Sequence, residues 1–517
     1  MQFLSWEHTI LPVTQTVTAP ATAPESPPPA GVIAAVTRRL QPLDTWLNGY
    51  GWIAALSIGF FAFLLRVVNL GHPPEMIFDE VYYADDANDM LNHFVEWDEK
   101  NGGPGYVVHP PLGKWLIALG IKAFGFNSVG WRISAVIFGS IAVIMMVRIA
   151  NRLFGSVVLA SAAGILMALD GMEFVLSRTA LLDIFLMFFV LAAFGALLID
   201  RDQRRKRWAD FIESGGVPAG RGKTSRPPFA VPWWRIVAAV MLGCALSVKW
   251  SALAFMVAAV VLVYWWEVGV RRTAGVKHPF ADAFLDEIGW VLGCVVIVFA
   301  VYTASWSGWF FTDTGYFRHW SPSVFSSWVH YHDQALKFHQ SLTEGHPYES
   351  DVRAWLFLWR PVAFYFSKNQ PCGVPDCSAE ILLVGNPVIW FAFLPALAAT
   401  AWFGIARRDW RAGGILVMAG FALVPWFFFL ERTAFFFYAA PALPFMILAV
   451  VYVLGCLMTS PAGEPKDENR MMFGTIFAGF YVLMAALSFV YFYPIWTGDA
   501  LTTAAWNARM LLGNRWI

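Results

Sequence analysis

The stretch GWIAALSIGFFAFLLRVVNL, residues 51–70, runs directly into GHPPEMIFDEVYY, residues 71–83. The first part is apolar over about the twenty residues an α-helix needs to cross hydrocarbon, with a single charge, Arg66, close to its end. The second part sets an acidic pair, Asp79 and Glu80, at the lip of that span. Runs like the first recur along the chain. Of 517 residues, 58% are hydrophobic and 14% charged, and the apolar residues come in blocks rather than at amphipathic spacing. Backbone amides in hydrocarbon must bond within their own segment, so blocks of this length leave bundled helices as the architecture and exclude an ordinary soluble domain. The expected fold class is an all-α polytopic membrane protein of about eleven transmembrane helices. These start near residues 51, 131, 156, 179, 233, 250, 288, 381, 412, 435 and 472.

Charge encodes topology in such a chain. The 36 Lys and Arg balance 36 Asp and Glu, so no global field favours nucleic acid, and none is expected as a partner. The basic residues fall in alternate connections, at Arg38 and Arg39, Arg148 and Arg152, RDQRRKR from Arg201, Arg271 and Arg272, Arg407 and Arg408, and Arg470. The positive-inside rule makes these cytoplasmic. The Pro, Thr and Ala rich residues 1–45 read as a disordered cytoplasmic tail and 46–500 as one transmembrane domain. Residues 70–130 and 306–380 are its long extracytoplasmic loops, with short helices, and 501–517 form an extracytoplasmic C-terminal segment. The Gly, Lys and Arg rich stretch 200–232 reads as a flexible linker.

Seven charged residues at helix ends lie outside the basic connections: Arg66, Arg132, Arg178, Asp183, Lys249, Glu431 and Arg432. In this topology all fall at the outer ends. A charge at the bilayer centre costs about 2.5–3.5 kcal/mol on insertion scales, so such residues sit at an interface or in a protein cavity. A lone Arg or Lys at a helix end more often merely snorkels, but seven on one side point to a shared polar cavity. Cations with carboxylates suit a substrate carrying a phosphate beside a hydroxyl that must lose its proton. Asp79 and Glu80, being adjacent, point differently on a helix and divide into a group facing substrate and one anchoring the loop. Asp85, Asp86 and Asp89 fit solvated surface equally well.

In VVHPPLGKW, His109, Pro110 and Pro111 make a stiff turn into a short helix from Leu112. His109 suits a general acid, a metal ligand or, as is commonest for a lone turn histidine, a structural role. His330, His332, His339 and His346 match no strong metal signature, and His332 and His339, two turns apart, share a helix face. Cys372 and Cys377, in CGVPDC, sit in an outer loop where a disulfide is permitted; the alternative, a metal pair, lacks four good ligands nearby.

FDEVYY at 78–83, VHPPLGK at 108–114, WRIS at 131–134, SRTALLD at 177–183, LSVKW at 246–250, YHDQALKFH from Tyr331, HPYES from His346 and RPVAFYF from Arg360 together resemble the protein O-mannosyltransferases, membrane enzymes of C-type glycosyltransferase architecture. The likeness covers most of residues 50–500. It implies transfer of mannose from a polyprenyl-phosphate-mannose lipid to Ser or Thr hydroxyls of proteins on the outer face, by a single inverting displacement. On this resemblance Asp79 is the base, Glu80 orders the site with Arg66, and Arg132 contacts phosphate. Arg66, Lys249 and Arg178 are further donor phosphate-binding candidates, while His109, Tyr331, His332, His339 and His346 are acceptor-side or structural. The 306–380 loop is too short for the β-trefoil domain of eukaryotic members, which suggests the bacterial, actinobacterial form. The partners implied are the lipid donor and acceptor proteins arriving during Sec-type translocation, in the cell membrane with the N-terminus cytoplasmic and the active site and C-terminus outside. The resemblance makes no cofactor certain and leaves a divalent cation open. The rival readings are a glycosyltransferase using the same donor class on a lipid or polysaccharide, and a multipass transporter. The outer-loop motifs disfavour the first, and the transporter reading lacks midplane charges and internal repeats.

Overall fold

The computed structural model describes residues 30–42, 49–218, 225–459 and 467–516. Among them nine helices are long and apolar enough to cross a membrane: Gly49–Val67, Ser128–Phe154, Asp183–Glu213, Ala252–Ala274, Pro279–Ser305, Pro387–Arg407, Trp410–Phe428, Phe436–Met458 and Glu468–Thr497. Two shorter apolar helices, Val157–Ala168 and Trp233–Leu246, lie where two more crossings were expected. At 1.5 Å per residue they reach only about 18 and 21 Å, short of the hydrocarbon thickness.

Three expectations are corrected. The span placed at 381 starts at Pro387, because Cys377–Leu383 is a β-strand between Val362–Lys368 and Leu501–Thr502, antiparallel to both. The alternating burial of Val362–Lys368 is the period-two pattern of a half-covered strand. Of the expected tail, Ala30–Leu40 is a helix whose Leu40 packs with Trp208, Ile212 and Val270; residues 1–29 and 43–48 lie outside the described residues. The expected linker is helical as far as Glu213, because Asp183–Glu213 continues through the charged run; residues 219–224 lie outside the description.

The run stays helical because its charges find buried partners. Arg235 donates to Asp200 at 2.7 Å and Glu267 at 3.1 Å and also pairs with Glu287, while Arg204 donates to Glu267 at 2.8 Å and pairs with Glu287. Arg271 joins the same carboxylates from Ala252–Ala274 and reaches Asp286 at 3.0 Å. This network marks one end of the bundle.

At the other end, the connection between the first two spans folds into the helix Glu80–His93, a short ribbon pairing Trp97–Asp98 with Gly103–Pro104, and the helix Leu112–Phe124. The helix Leu112–Phe124 crosses Ser128–Phe154 so closely that a Cβ on Gly120 would run into the Gly130 carbonyl, which is why glycine stands there. The 306–380 connection adds the helix Val324–Ser341 and the sheet. The C-terminal segment closes on the same end, where the buried indole of Trp516 donates to the Leu358 carbonyl at 2.7 Å.

Removing one partner of a buried ion network strands the others, at about 3–5 kcal/mol. Arg235→Ala is therefore expected to lower the melting temperature of the detergent-solubilised protein sharply, whereas Lys277→Gln, on an exposed turn, leaves it within the scatter of surface substitutions.

Candidate active site

Phe78 has φ +48°, in the left-handed region, which costs a side-chain-bearing residue about 1–2 kcal/mol. Its ring is held by stacking on Phe364 at 4.7 Å and by edge contacts with Phe435 at 6.0 Å and Phe437 at 5.8 Å. That kink starts the helix Glu80–His93 and sends the two neighbouring carboxylates to different places.

Glu80 is fully buried. It accepts from the backbone N–H of Ile77 at 3.1 Å and of Ala180 at 2.9 Å, and from the Trp131 indole at 3.3 Å. Arg132 Nε and Nη2 complete the set at 2.9 and 2.8 Å. The remaining donors of Arg132 go to the carbonyls of Leu70 at 3.2 Å, Pro73 at 2.7 Å and Glu75 at 3.0 Å. A guanidinium has five N–H donors, and all are engaged. Arg132 is thus a clamp for loop 70–75 and Glu80, not a free phosphate contact, and Glu80 is ordered by Arg132 rather than by Arg66.

Arg66 instead pairs with buried Glu173 and donates to the carbonyls of Ala62 at 2.9 Å and Ala168 at 3.2 Å. Arg178 donates to the carbonyls of Arg66 at 2.6 Å, Val68 at 2.7 Å and Asn69 at 3.1 Å. Two more of the expected phosphate contacts are therefore committed to tying down the end of the first span. The reason is dielectric: a guanidinium this buried needs fixed acceptors.

Asp79 is the contrast. It is half-buried, and its carboxylate makes no hydrogen bond among the described residues; its backbone carbonyl accepts from the N–H of Tyr82 and Tyr83. Burial pushes its carboxyl up to about 6, with Lys249 pulling it down and Asp183 pushing it further up. Lys249 Nζ donates to Asp183 at 2.7 Å and stands 5.2 Å from the Tyr438 ring centroid and 5.7 Å from that of Phe437. Arg432 approaches the same Tyr438 ring at 5.6 Å. Its Nε and Nη1 donate to the carbonyls of His339 at 3.2 Å and Thr433 at 3.1 Å, and Nη2 lies 3.4 Å from His339 Nδ1. His339 Nε2 meets the Val108 carbonyl at 3.2 Å, which assigns the proton to Nε2 and leaves Nδ1 to accept. His109 lies 5.4 Å from His339 and 6.1 Å from Tyr83, ring to ring. Burial above all, then Lys249 and His339, hold His109 well below the usual imidazole range, so it is neutral.

The structure thus brings Asp79, Asp183, Lys249, His109, His339 and Arg432 into one cluster at this end of the bundle, and places the other expected residues beside it. Tyr331 donates to the Val107 carbonyl at 2.6 Å and accepts the Val107 N–H at 3.2 Å, pinning the segment before the His-Pro-Pro turn. His332 spans the Trp328 carbonyl at 2.7 Å and the Tyr302 hydroxyl at 2.8 Å. His346 is exposed, its Nδ1 accepting the Tyr348 N–H at 3.1 Å. Cys372 and Cys377 are joined as a disulfide. Among the described residues no three His, Cys, Asp or Glu converge in a way that would hold a metal ion. The remaining acids of the loop separate: Asp86 faces Lys114 at 3.6 Å, with Glu96 on the other side of that ammonium, Asp89 accepts the Trp97 N–H at 3.3 Å, and Asp85 is exposed. Sequence reasoning missed the aromatic floor, Tyr438 and Phe437, which carries no signal outside an apolar run, and the anchors Glu173 and Glu96. Asp183 stood among the seven outer charges, but only contact reveals it as the partner of Lys249.

A many-spanned helical bundle with a carboxylate and two cations at one end, under a cap of loop helices, is the architecture of a C-type membrane glycosyltransferase. The protein O-mannosyltransferase complex of S. cerevisiae, solved bound to its sugar donor, has this fold: it aligns at a TM-score of 0.71 over 95% of this chain and 94% of that one, at 14% identity. Residues 56–285 match the dolichyl-phosphate-mannose-protein mannosyltransferase family, and 324–516 match the C-terminal four-span region of protein O-mannosyltransferases. A polyprenol-phosphate-mannose–protein mannosyltransferase of Mycolicibacterium smegmatis is 38% identical over 91% of this chain and 93% of its own length. One of Corynebacterium glutamicum is 32% identical over 93% and 96%. The chain belongs to the protein O-mannosyltransferase family.

With all five donors of Arg132 engaged, Arg132→Ala is expected to cost about 3–5 kcal/mol of stability. Thermal melts should show that loss without donor present, and a variant melting like wild type with only a donor-binding defect would reverse the assignment.

Proposed function

We propose that the chain transfers mannose from a polyprenyl-phosphate-mannose lipid to Ser or Thr hydroxyls of proteins, with Asp79 as the base. The observation that carries the reading is the difference between the two acids. Glu80 has five hydrogen-bond donors and no capacity for chemistry, whereas the Asp79 carboxylate has none and is poised near 6. A base with that value is largely ionised at neutral pH yet holds a proton better than a free carboxylate.

The acceptor oxygen attacks the anomeric carbon while its proton passes to an Asp79 carboxylate oxygen. The bond from that carbon to the phosphate oxygen breaks on the opposite face, and the polyprenyl phosphate leaves with the electron pair. Lys249 and Arg432, flanking Tyr438, are the cations left to meet the growing phosphate charge. Asp183 holds Lys249 in place. Neutral His109 and His339 border this cluster as positioning groups. The basic end of the bundle supports placing it on the cytoplasmic side, with the site and C-terminus outside, in a bacterial cell membrane where acceptors arrive during Sec-type translocation.

The test is transfer from labelled polyprenyl-phosphate-mannose to a Thr-rich peptide in membranes carrying the chain. Asp79→Asn is expected to lower transfer by about 10²–10⁴-fold. Wild-type rates should rise with pH through about 6, as the base loses its proton. The sign for stability is opposite: a carboxyl whose folded value is raised loses folding free energy as pH climbs from its unfolded value to about 6. Asp79→Asn is therefore expected to melt slightly higher than wild type above that pH while being inactive. An active Asp79→Asn enzyme removes the proposed base, and label reaching only lipid removes the protein acceptor. Lys249→Gln is expected to lower kcat about 10-fold or more; a change confined to the KM for peptide would move Lys249 to the acceptor side.

A further inference from the structure

At the end of the bundle opposite Asp79 lies a cavity of about 530 Å³. Six arginines line it: Arg39, Arg152, Arg201, Arg205, Arg407 and Arg411. Two carboxylates, Asp202 and Asp409, share the wall. Arg152 and Arg201 both use Asp202, at 2.6 and 3.0 Å, and Arg411 is bidentate on Asp409, which also accepts from Tyr452 at 3.1 Å. Arg201 is further held 3.2 Å above the Trp410 ring. The other three have no carboxylate in ion-pair contact among the described residues. Among the described residues Arg205 donates to the Arg39 carbonyl, and Arg407 meets the sulfur of Cys456 at 3.6 Å and lies 4.8 Å from the Phe403 ring centroid. Six guanidiniums against two carboxylates leave four positive charges in one concavity.

The positive-inside rule accounts for basic residues on this side, but not for their convergence from five separate helices and turns on one pocket. Nor does it account for the depth. Arg201 is 18 residues beyond Asp183 on one continuous helix, which puts it about 27 Å away along the axis, at the level of the far headgroups if Asp183 marks the near boundary. The pocket also opens beside lipid-facing surface: Trp402 and Ile405, on the turns preceding Arg407, are 71% and 80% exposed. Guanidiniums recognise phosphate by paired N–H donors.

We propose that this pocket is a second phosphate-binding site, on the opposite membrane face from the proposed chemistry, and that its ligand is the phosphate of an anionic lipid headgroup from the adjacent leaflet. Its function is to fix the Ala30–Leu40 helix and the 407–411 turn against the bundle through the bound headgroup. It is independent of the transferase reading.

The test is lipid retention by the purified full chain, delipidated in neutral detergent and titrated with dioleoyl phosphatidic acid, dioleoyl phosphatidylglycerol, dioleoyl phosphatidylcholine or inorganic phosphate. Binding is read by native mass spectrometry and by thermal shift. The anionic lipids are expected to bind and raise the melting temperature, phosphatidylcholine and inorganic phosphate to do so far less. Arg205→Gln/Arg407→Gln is expected to weaken anionic-lipid binding about 10-fold or more, by loss of two charge-assisted contacts. Arg205→Lys/Arg407→Lys should retain part of it, and Lys277→Gln, exposed on the same end, should bind like wild type. A single size-exclusion peak and a cooperative thermal melt check that the double variant is folded. Equal retention by wild type and the folded Gln double variant overturns the site. Inorganic phosphate competing as well as lipid overturns the lipid as its ligand.

Discussion

A carboxylate and a guanidinium taken out of water each lose several kcal/mol of solvation, and only a full set of mutual and backbone contacts offsets the loss. Glu80 and Arg132 have that set, and the rest of the catalytic end hangs from it. Through Arg132 the pair holds the carbonyls of residues 70, 73 and 75, and through Glu80 the amides of residues 77 and 180. One ion pair therefore fixes the exit of the first span, the start of the loop helix and the turn before Asp183. Asp79 inherits a fixed position without contributing a side-chain bond to it, which leaves its carboxylate open for chemistry.

The same economy explains why so many cations at this end are structural. Arg66 and Arg178 donate to carbonyls near the ends of the helices Gly49–Val67 and Val157–Ala168 and in the turn that follows the first, a service that arginine performs well because it never loses its charge. The ammonium of Lys249 and the guanidinium of Arg432 stand instead against an aromatic floor, where ring quadrupoles favour a cation, and each keeps donors beyond those it gives to Asp183 or to His339 and Thr433. Division of labour between clamps and working cations follows from what each head group faces.

The two ends of the bundle carry charge for different reasons. At the end opposite Asp79, Arg204, Arg226, Arg235 and Arg271 meet Asp200, Glu267, Asp286 and Glu287 in a balanced network, four charges against four. Beside it the arginine-rich pocket remains out of balance. A balanced buried network holds helices in register, while an unbalanced one attracts a counter-charge.

The apolar runs by themselves determined the membrane class, since a run of about twenty apolar residues satisfies its backbone within its own segment only as a helix, and their places on the chain foretold most of the helices, though not the strand at Cys377–Leu383 where a span was expected. The motifs from FDEVYY to RPVAFYF carried the family, and the outer charges located one polar end. What each charge does there was beyond the sequence. That Glu80 takes Arg132 and not Arg66, that Asp183 takes Lys249, and that the expected linker continues as helix depend on pairings across 52, 66 and 63 residues. Such contacts arise only when the helices pack, because a buried charge is defined by its partner and not by its neighbours in the chain.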